Sequence, residues 1–260
     1  MKMSTHTETQ HADFARCLPC NQVDTLAAFH WLKLAWNDLR AAPLVSLIYG
    51  LVFSLIPATI LYMTINSGTH LVILPAIVAF ALAGPVFAVG LYDVAWQLEK
   101  GQRPTLLHSL RSMFRNPVGE WGFAIVLTLV MIAWMRLATL LHALYPTLGQ
   151  PSLLDMAPFL AFGSLVGMVL MVAVFALSAF TPQICLERKV DLMTAIVSSV
   201  HAVRTNFPAM QVWAATILAL VTLGFATSAL GFILIMPLLS FASWHAYIAV
   251  IKTRTQRHYE

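Results

Sequence analysis

Two charge-free runs constrain this chain more than any other feature of its sequence. No Asp, Glu, Lys or Arg occurs between Arg40 and Asp93, a gap of 52 residues, or between Arg204 and Lys252, a gap of 47 residues. A helix needs about 20 apolar residues to cross a bilayer, so each run is long enough for two crossings. The sequence therefore predicts an integral membrane protein. It excludes a soluble enzyme, a disordered tail and a nucleic-acid-binding domain as descriptions of the whole chain.

Composition agrees with this interpretation. Apolar residues make up 59% of the chain and charged residues only 10%, whereas an average soluble domain is about 25% charged. The net charge of +4 comes from basic residues scattered near the predicted membrane boundaries. This thin distribution does not indicate a nucleic-acid partner. Residues 1–42 contain no apolar run of signal-peptide length, so we expect no cleaved leader.

Polar and turn-forming clusters divide the apolar sequence into six predicted spans. They lie near residues 44–65, 71–92, 118–142, 158–180, 209–229 and 231–250. We therefore predict an all-α fold, a polytopic membrane protein with six transmembrane helices. A polar cytoplasmic tail, residues 1–23, would precede a single membrane domain over residues 24–257. Prolines at positions 57, 75, 85 and 237 lie inside predicted spans, where neighbouring helices can satisfy the carbonyls that a kink frees.

The distribution of Lys and Arg predicts the orientation of these spans. With six crossings, both tails and the segments 93–117 and 181–208 face one side and carry 14 of the 15 basic residues. The three loops on the other side carry none, and Arg136 lies within the third span. Cytoplasmic loops carry an excess of Lys and Arg. We therefore expect both termini in the cytoplasm and the chain in the inner membrane of a bacterium.

Three amphipathic segments suggest an internal repeat. Residues 24–41, 104–115 and 191–204 place apolar residues at spacings of three and four, as surface helices do. Each segment ends in a basic residue shortly before a proline, at Arg40 and Pro43, Arg115 and Pro117, and Arg204 and Pro208. Proline there breaks the helix and suits the start of the next one.

The predicted unit is an interfacial helix, a span, an outer loop and a span back, with repeats at about 24–98, 104–188 and 191–257. The alternative is that any loop between membrane helices can contain an interfacial helix, without a repeat.

Cys17 and Cys20 have the spacing of a redox dithiol or of half a zinc site. A redox pair should open a helix in a thioredoxin-like fold, and no such pattern surrounds this one. Zinc would need two more ligands, and His6 and His11 are available only in the polar tail. The alternative is two reduced thiols, so these cysteines are weak metal candidates.

His245 and Arg136 are the candidate functional residues within the membrane. An ionisable residue inside a span is a functional candidate by default. His245 is also flanked by Trp244 and Tyr247, which is typical of an interfacial aromatic belt. Arg136 could snorkel to the interface or pair with Asp155 instead of binding a substrate.

The acidic residues near the spans predict no catalytic site. Glu120 lies in the first turn of the third span, where a carboxylate suits the helix N-terminus. Asp93 and Glu99 follow the second span, and we expect them to be solvated. The sequence contains no Gly-rich phosphate loop, no Gly-x-Ser-x-Gly elbow and no His-Glu-x-x-His. We therefore expect no enzymatic activity, no cofactor and no proton-coupled transport.

Several short stretches resemble a family of uncharacterised bacterial integral membrane proteins, a domain-of-unknown-function family. They are Trp36 to Pro43 with Tyr49-Gly50, Gly84 to Asp93 with Leu98 to Gly101, Arg115 to Pro117 with Trp134 to Leu137, and Pro237 to Tyr247. Some members are labelled cytochrome c oxidase subunits. The catalytic subunit of such oxidases has about twelve spans and several haem-ligating histidines, whereas one histidine lies well inside these spans. The resemblance thus implies a location in the membrane and leaves the activity open.

Three hypotheses about function follow. The first is a non-enzymatic structural, assembly or interaction role, with the lipid bilayer and membrane proteins as partners and no nucleic acid. The second is a uniport-like carrier or channel for a small or lipidic solute, indicated by the kinking prolines. The third is a redox accessory protein linked to a respiratory oxidase, indicated by Cys17, Cys20 and His245.

Overall fold

The computed structural model describes residues 17–67, 87–144, 153–188 and 190–252. These ranges are helical and contain no strand; Cys20 and Ile251 form one isolated antiparallel pair. The all-α fold class is confirmed. The helices are α1 (Ala27–Ala41), α2 (Pro43–Ser67), α3 (described over 87–99), α4 (Leu106–Ser112), α5 (Pro117–Leu144), α6 (Leu153–Ser178), α7 (Thr181–Glu187), α8 (Leu192–Thr205), α9 (Phe207–Ala226) and α10 (Phe232–Val250).

Five of the described helices are long and apolar enough to cross a membrane. They contain the candidate spans Pro43–Ile60, Pro117–Leu141, Leu160–Glu187, Phe207–Ala226 and Phe232–Val250. These correspond to the first, third, fourth, fifth and sixth predicted spans. Residues 71–86 of the second predicted span lie outside the described residues, and α3 contains the remainder. The six-span count and the threefold repeat stay predictions.

The predicted breaks before the spans occur where proline was expected to cause them. Helices α2 and α5 begin at Pro43 and Pro117, and α9 begins one residue before Pro208. Helix α8 starts behind Asp191, whose carboxylate accepts a hydrogen bond from the Thr194 amide at 2.9 Å. Such a side-chain cap satisfies one of the free amides at a helix start.

Helix α7 was not predicted as a separate element. The fourth span was expected to end near residue 180, but α6 ends at Ser178 and a new helix starts at Thr181 with Pro182 in its first turn. Six of its seven residues are buried. The Phe180 amide at the break donates to the Ser199 hydroxyl at 3.1 Å. This contact attaches the break to α8.

The second half of α10 forms the centre of the packed region, with α1 and α2 against it. Phe241, Trp244 and Tyr247 are fully buried. Gly50 of α2 lies so close to α10 that an added Cβ would come within 2.0 Å of the Ile233 carbonyl oxygen. A glycine at this position therefore permits the close helix approach that small residues provide in membrane proteins.

The three amphipathic helices bury many of their small and polar residues, together with Trp31 and Leu39 of α1. Ala28 and Ala35 of α1, and Ser198 and Ser199 of α8, are fully buried. Other large apolar side chains on the same helices are exposed, among them Phe29, Trp36, Leu107 and Met193. In a membrane protein lipid covers the apolar side, so the small and polar side is left to contact protein.

Residues 17–23, which precede α1, are held by hydrogen bonds to the ends of α8 and α10. The Leu18 amide donates to the Ser198 hydroxyl at 2.9 Å. The Asn21 amide donates to the Val250 carbonyl at 2.7 Å, and the Val23 amide to the Asn206 side chain at 2.9 Å. The Cys17–Cys20 segment is therefore packed against the membrane domain.

Candidate functional site

His245 of α10 pairs with a carboxylate that the sequence placed on the polar side of a surface helix. Its Nε2 atom lies 2.7 Å from Asp38 Oδ2. Both side chains are less than one-fifth exposed. The pair joins α10 to α1, because Asp38 lies one turn before the end of α1.

Asp93 is fully buried, which corrects the expectation that it is solvated. Its Oδ2 accepts from Gln97 Nε2 at 2.6 Å and lies 2.7 Å from His108 Nδ1. Burying a carboxylate is costly unless it is hydrogen-bonded. Gln97 lies one turn further along α3, and His108 belongs to α4. The second His–Asp pair thus joins α3 to a surface helix, as the first joins α10 to α1.

Two further carboxylates accept hydrogen bonds from buried aromatic side chains of α10. Trp244 Nε1 donates to Glu99 Oε2 at 2.9 Å, and the Tyr247 hydroxyl donates to Glu187 Oε2. Glu99 was expected to be solvated, and its bond to a fully buried indole corrects that expectation. A buried Trp or Tyr usually finds a partner for its polar atom. These bonds attach the ends of α3 and α7 to α10.

Two cations lie over the ring of Trp96. Lys100 Nζ is 3.5 Å from the centre of its ring, and Arg115 Cζ is 4.7 Å from the same centre. Both distances are within the range of cation–π attraction. Partial burial lowers the pKa of Lys100, and the neighbouring Arg115 lowers it further, against the smaller opposite effect of nearby carboxylates. Trp96 and its neighbours form what we call the junction cluster: Asp93, Trp96, Glu99, Lys100, His108, Arg115, Glu187, Trp244 and Tyr247.

A buried hydroxyl chain lies beside the junction cluster. The Ser109 hydroxyl donates to the Gly90 carbonyl at 2.6 Å and lies 2.7 Å from the Tyr49 hydroxyl. An added Cβ on Gly90 would come within 2.2 Å of the Tyr49 oxygen. The absence of a side chain at this position therefore lets α2, α3 and α4 meet.

Glu120 differs from the other acidic residues of this region. It lies in the first turn of α5, as predicted, but it is 3% exposed and neither carboxylate oxygen has a hydrogen-bond partner in the described structure. A carboxylate buried in this way costs free energy. Glu120 is a buried acidic group that the sequence did not single out as unusual.

The remaining sequence candidates lie apart from the junction cluster. Arg136 is exposed on α5, and the side chain of Asp155, its predicted partner, lies outside the described part. Cys17 and Cys20 are partly exposed free thiols. Burial raises the pKa of Cys17, and a hydrogen bond to Ser198 partly offsets this. Among the described residues no group of three or more His, Cys, Asp or Glu could hold a metal ion; His6 and His11 lie outside them.

The junction cluster assembles residues from the stretches that carry the family resemblance. Glu99 and Trp244 come from two of these stretches, and so do Asp38 and His245, which pair outside the cluster. Asn116, from a further stretch, donates to the Cys185 carbonyl at 3.1 Å. The cluster was missed because bonded members such as Glu99 and Trp244 are 145 residues apart in the chain. The one available signal was the recurrence of charged residues beside Trp and Tyr at the ends of spans.

A family model described as "Predicted integral membrane protein (DUF2189)" matches residues 73–187. The chain is an integral membrane protein. The match confirms the resemblance to an uncharacterised membrane family, and it includes the α3, α4 and α7 members of the junction cluster. The family description states no activity. Neither a curated protein nor a solved structure matches the chain.

Proposed function

We propose that this chain is a six-span protein of the bacterial inner membrane, with both termini in the cytoplasm and a non-enzymatic role in assembly or interaction within the membrane. The observation that carries the proposal is that the carboxylates of the junction cluster bond to other helices of the same chain. Asp93 accepts a hydrogen bond from a side chain of its own helix, and Glu99 and Glu187 each accept one from a side chain of α10. These groups hold helices together and are not arranged around a space for a substrate.

The contacts between helix ends support the proposed orientation. The start of α2 meets the region of α3 and α4 through Tyr49 and Ser109, and the ends of α3 and α7 meet the end of α10. Such contacts support an arrangement in which paired spans leave one side of the membrane and return to it. That side carries Lys100, Arg115 and Arg188, as the positive-inside rule requires of the cytoplasmic side.

Helix α6 supports an interaction role. None of its described side chains is buried, and Phe162, Leu165 and Met168 are each more than half exposed. A Cβ added to Gly163 would meet nothing within 4 Å. A helix that is apolar on all sides and has an open glycine is suited to close packing against another transmembrane helix. We propose that the partner presents such a helix to α6.

Sidedness is tested by cysteine labelling in a variant without native cysteines. Leu148→Cys should react with a membrane-impermeant maleimide in spheroplasts, whereas Arg103→Cys should react only after permeabilisation. The reverse pattern would contradict the orientation.

The interaction role is tested by photo-crosslinking from α6 in native membranes. A photoreactive residue at Phe162 should give one discrete protein adduct, identified by mass spectrometry, and Gly163→Leu should remove it. The same residue at Leu218, exposed on α9, is the control and should give lipid adducts only. Lipid adducts alone at Phe162 would contradict the role.

The alternative, a uniport-like carrier, is supported by Pro57 and Pro237, which lie inside α2 and α10. These kinks could allow the two packed helices to move. Solute flux into proteoliposomes that depends on His245 would favour this alternative over an assembly role. The redox hypothesis would require a haem or metal spectrum in the purified protein that Cys17→Ser or Cys20→Ser removes.

A further inference from the structure

Lys100 and Arg115, the two cations over the ring of Trp96, form no ion pair with another residue in the described part of the chain. Within the described residues, the ion pairs are those of His108 with Asp93 and His245 with Asp38. Lys100 and Arg115 lie beyond ion-pair distance of any described carboxylate. Asp93, Glu99 and Glu187 act electrostatically on Lys100, but each is already hydrogen-bonded elsewhere.

Two adjacent cations repel each other, so their position on one ring carries an electrostatic cost. The effect of Arg115 on Lys100 is that of a like charge. An anion that contacts both side chains would relieve this repulsion and gain two charge-assisted hydrogen bonds. Both side chains are exposed, so an anion can approach from outside the protein.

Exposed apolar side chains lie on the segments before and after Arg115, which restricts the kind of anion. Leu107 of α4 is 61% exposed, and Phe114, which follows the end of α4, is 65% exposed. On α5, which follows directly, Val118 is 82% exposed and Ile125 is 53% exposed. Phe114 also lies against Trp121, with their ring centres 6.4 Å apart. A phosphate bound at the cations would therefore have an apolar path beside it that leads along α5 into the bilayer.

We propose that Lys100 and Arg115 bind the phosphate of an anionic phospholipid headgroup, while its acyl chains lie on the exposed side of α4 and the first turns of α5. Basic residues at the membrane interface attract anionic lipids, and basic pockets between membrane helices bind their headgroups. The apolar path favours a lipid over a free phosphate ester, which would use the cations only. The site does not depend on the partner proposed for α6.

The test measures binding of a fluorescent short-chain phosphatidylglycerol to the purified full-length protein in zwitterionic detergent. Each Lys or Arg near a membrane surface contributes about fivefold to the binding of an anionic lipid. The double variant Lys100→Gln/Arg115→Gln should therefore raise the dissociation constant by roughly thirtyfold. The control Arg103→Gln/Arg111→Gln removes the same charge from the same segment and should change the constant less than threefold. An equal loss in both variants would show general surface attraction and overturn the site.

A second set of measurements distinguishes loss of the site from misfolding of the variant, and a lipid phosphate from a soluble one. The exchange Lys100→Arg/Arg115→Lys keeps both charges and should retain binding; its failure alongside a normal unfolding midpoint would overturn the assignment. Inorganic phosphate and glycerol 3-phosphate should compete poorly with the lipid. If either competes as well as phosphatidylglycerol, the ligand is a soluble phosphate and the lipid assignment is wrong.

Discussion

His245 Nε2 and Asp38 Oδ2 lie 2.7 Å apart although 207 positions separate them in the chain. This contact connects the last described span to the first amphipathic helix. It also gives His245, an ionisable residue inside α10, a hydrogen-bond partner. An intramembrane histidine is a functional candidate by default, but here its ring nitrogen is used to hold two helices together.

Replacing Asp38 should therefore destabilise the protein. Asp38→Leu leaves the His245 nitrogen without its partner, at a cost of about 1.5–3 kcal/mol for a hydrogen bond to a charged group. Thermal unfolding in detergent should shift down by roughly 5 °C or more. Asn37→Leu, an exposed neighbour, is the control. An unchanged midpoint for Asp38→Leu would mean that the pair contributes nothing to stability.

Gly50→Ala should separate α2 from α10. The new Cβ would lie 2.0 Å from the Ile233 carbonyl oxygen, and backbone cannot move aside as a side chain can. Overpacking of this kind costs about 1–3 kcal/mol. Gly163→Ala meets nothing within 4 Å and should be neutral or slightly stabilising. Unfolding midpoints of the two variants check the prediction, and equal midpoints would count against this packing.

Tyr49→Phe should weaken the contact between α2 and α4. It removes the hydroxyl that lies 2.7 Å from Ser109 but leaves the bond from Ser109 to Gly90 intact. The expected loss is about 1 kcal/mol, the net value of a typical hydrogen bond. Tyr62→Phe, at a side chain that is 69% exposed, is the matched control. If both variants unfold at the same temperature, the buried hydroxyl chain does not stabilise the protein.

Glu120 and Glu99 should respond in opposite ways to substitution by leucine. Glu120→Leu removes two buried oxygens that have no partner in the described structure and should stabilise by about 1–3 kcal/mol. Glu99→Leu leaves the buried Trp244 N–H unpaired and should destabilise by a similar amount. Unfolding midpoints decide between these signs. A loss of stability in Glu120→Leu would reveal a partner for that carboxylate.

Cys17 should be a slow nucleophile in the folded protein. Burial raises its pKa, so the thiolate fraction at pH 8 is smaller than for a free thiol, and alkylation depends on the thiolate. In the Cys20→Ser/Cys185→Ser variant, the rate at which iodoacetamide alkylates Cys17 should increase with pH. This increase should continue to pH values above the ordinary pKa of a thiol. The same variant unfolded in dodecyl sulfate should react faster at pH 8. Equal rates in the two states would contradict the burial of this thiol.

The position of the spans could be predicted from the sequence because crossing a membrane is a local requirement. A charge-free apolar run of sufficient length is enough, and proline marks its start, as at Pro43 and Pro117. The amphipathic helices were predicted for the same reason. The side on which each helix contacts protein was not predictable in the same way. Ser109 and Ser198 are fully buried, and the spacing of apolar residues does not indicate which polar residues contact protein.

Sequence alone determined that the chain lies in a membrane, where the described spans begin and end, and which segments carry the positive charge. Only the tertiary structure decided that Asp38 meets His245, that Glu99 meets Trp244, and that two cations share the ring of Trp96. The reason is physical. A span such as α6 is apolar on all sides, so no periodicity in its sequence shows which side faces lipid and which side faces protein. A few polar contacts between residues far apart in the chain determine which helices pack together.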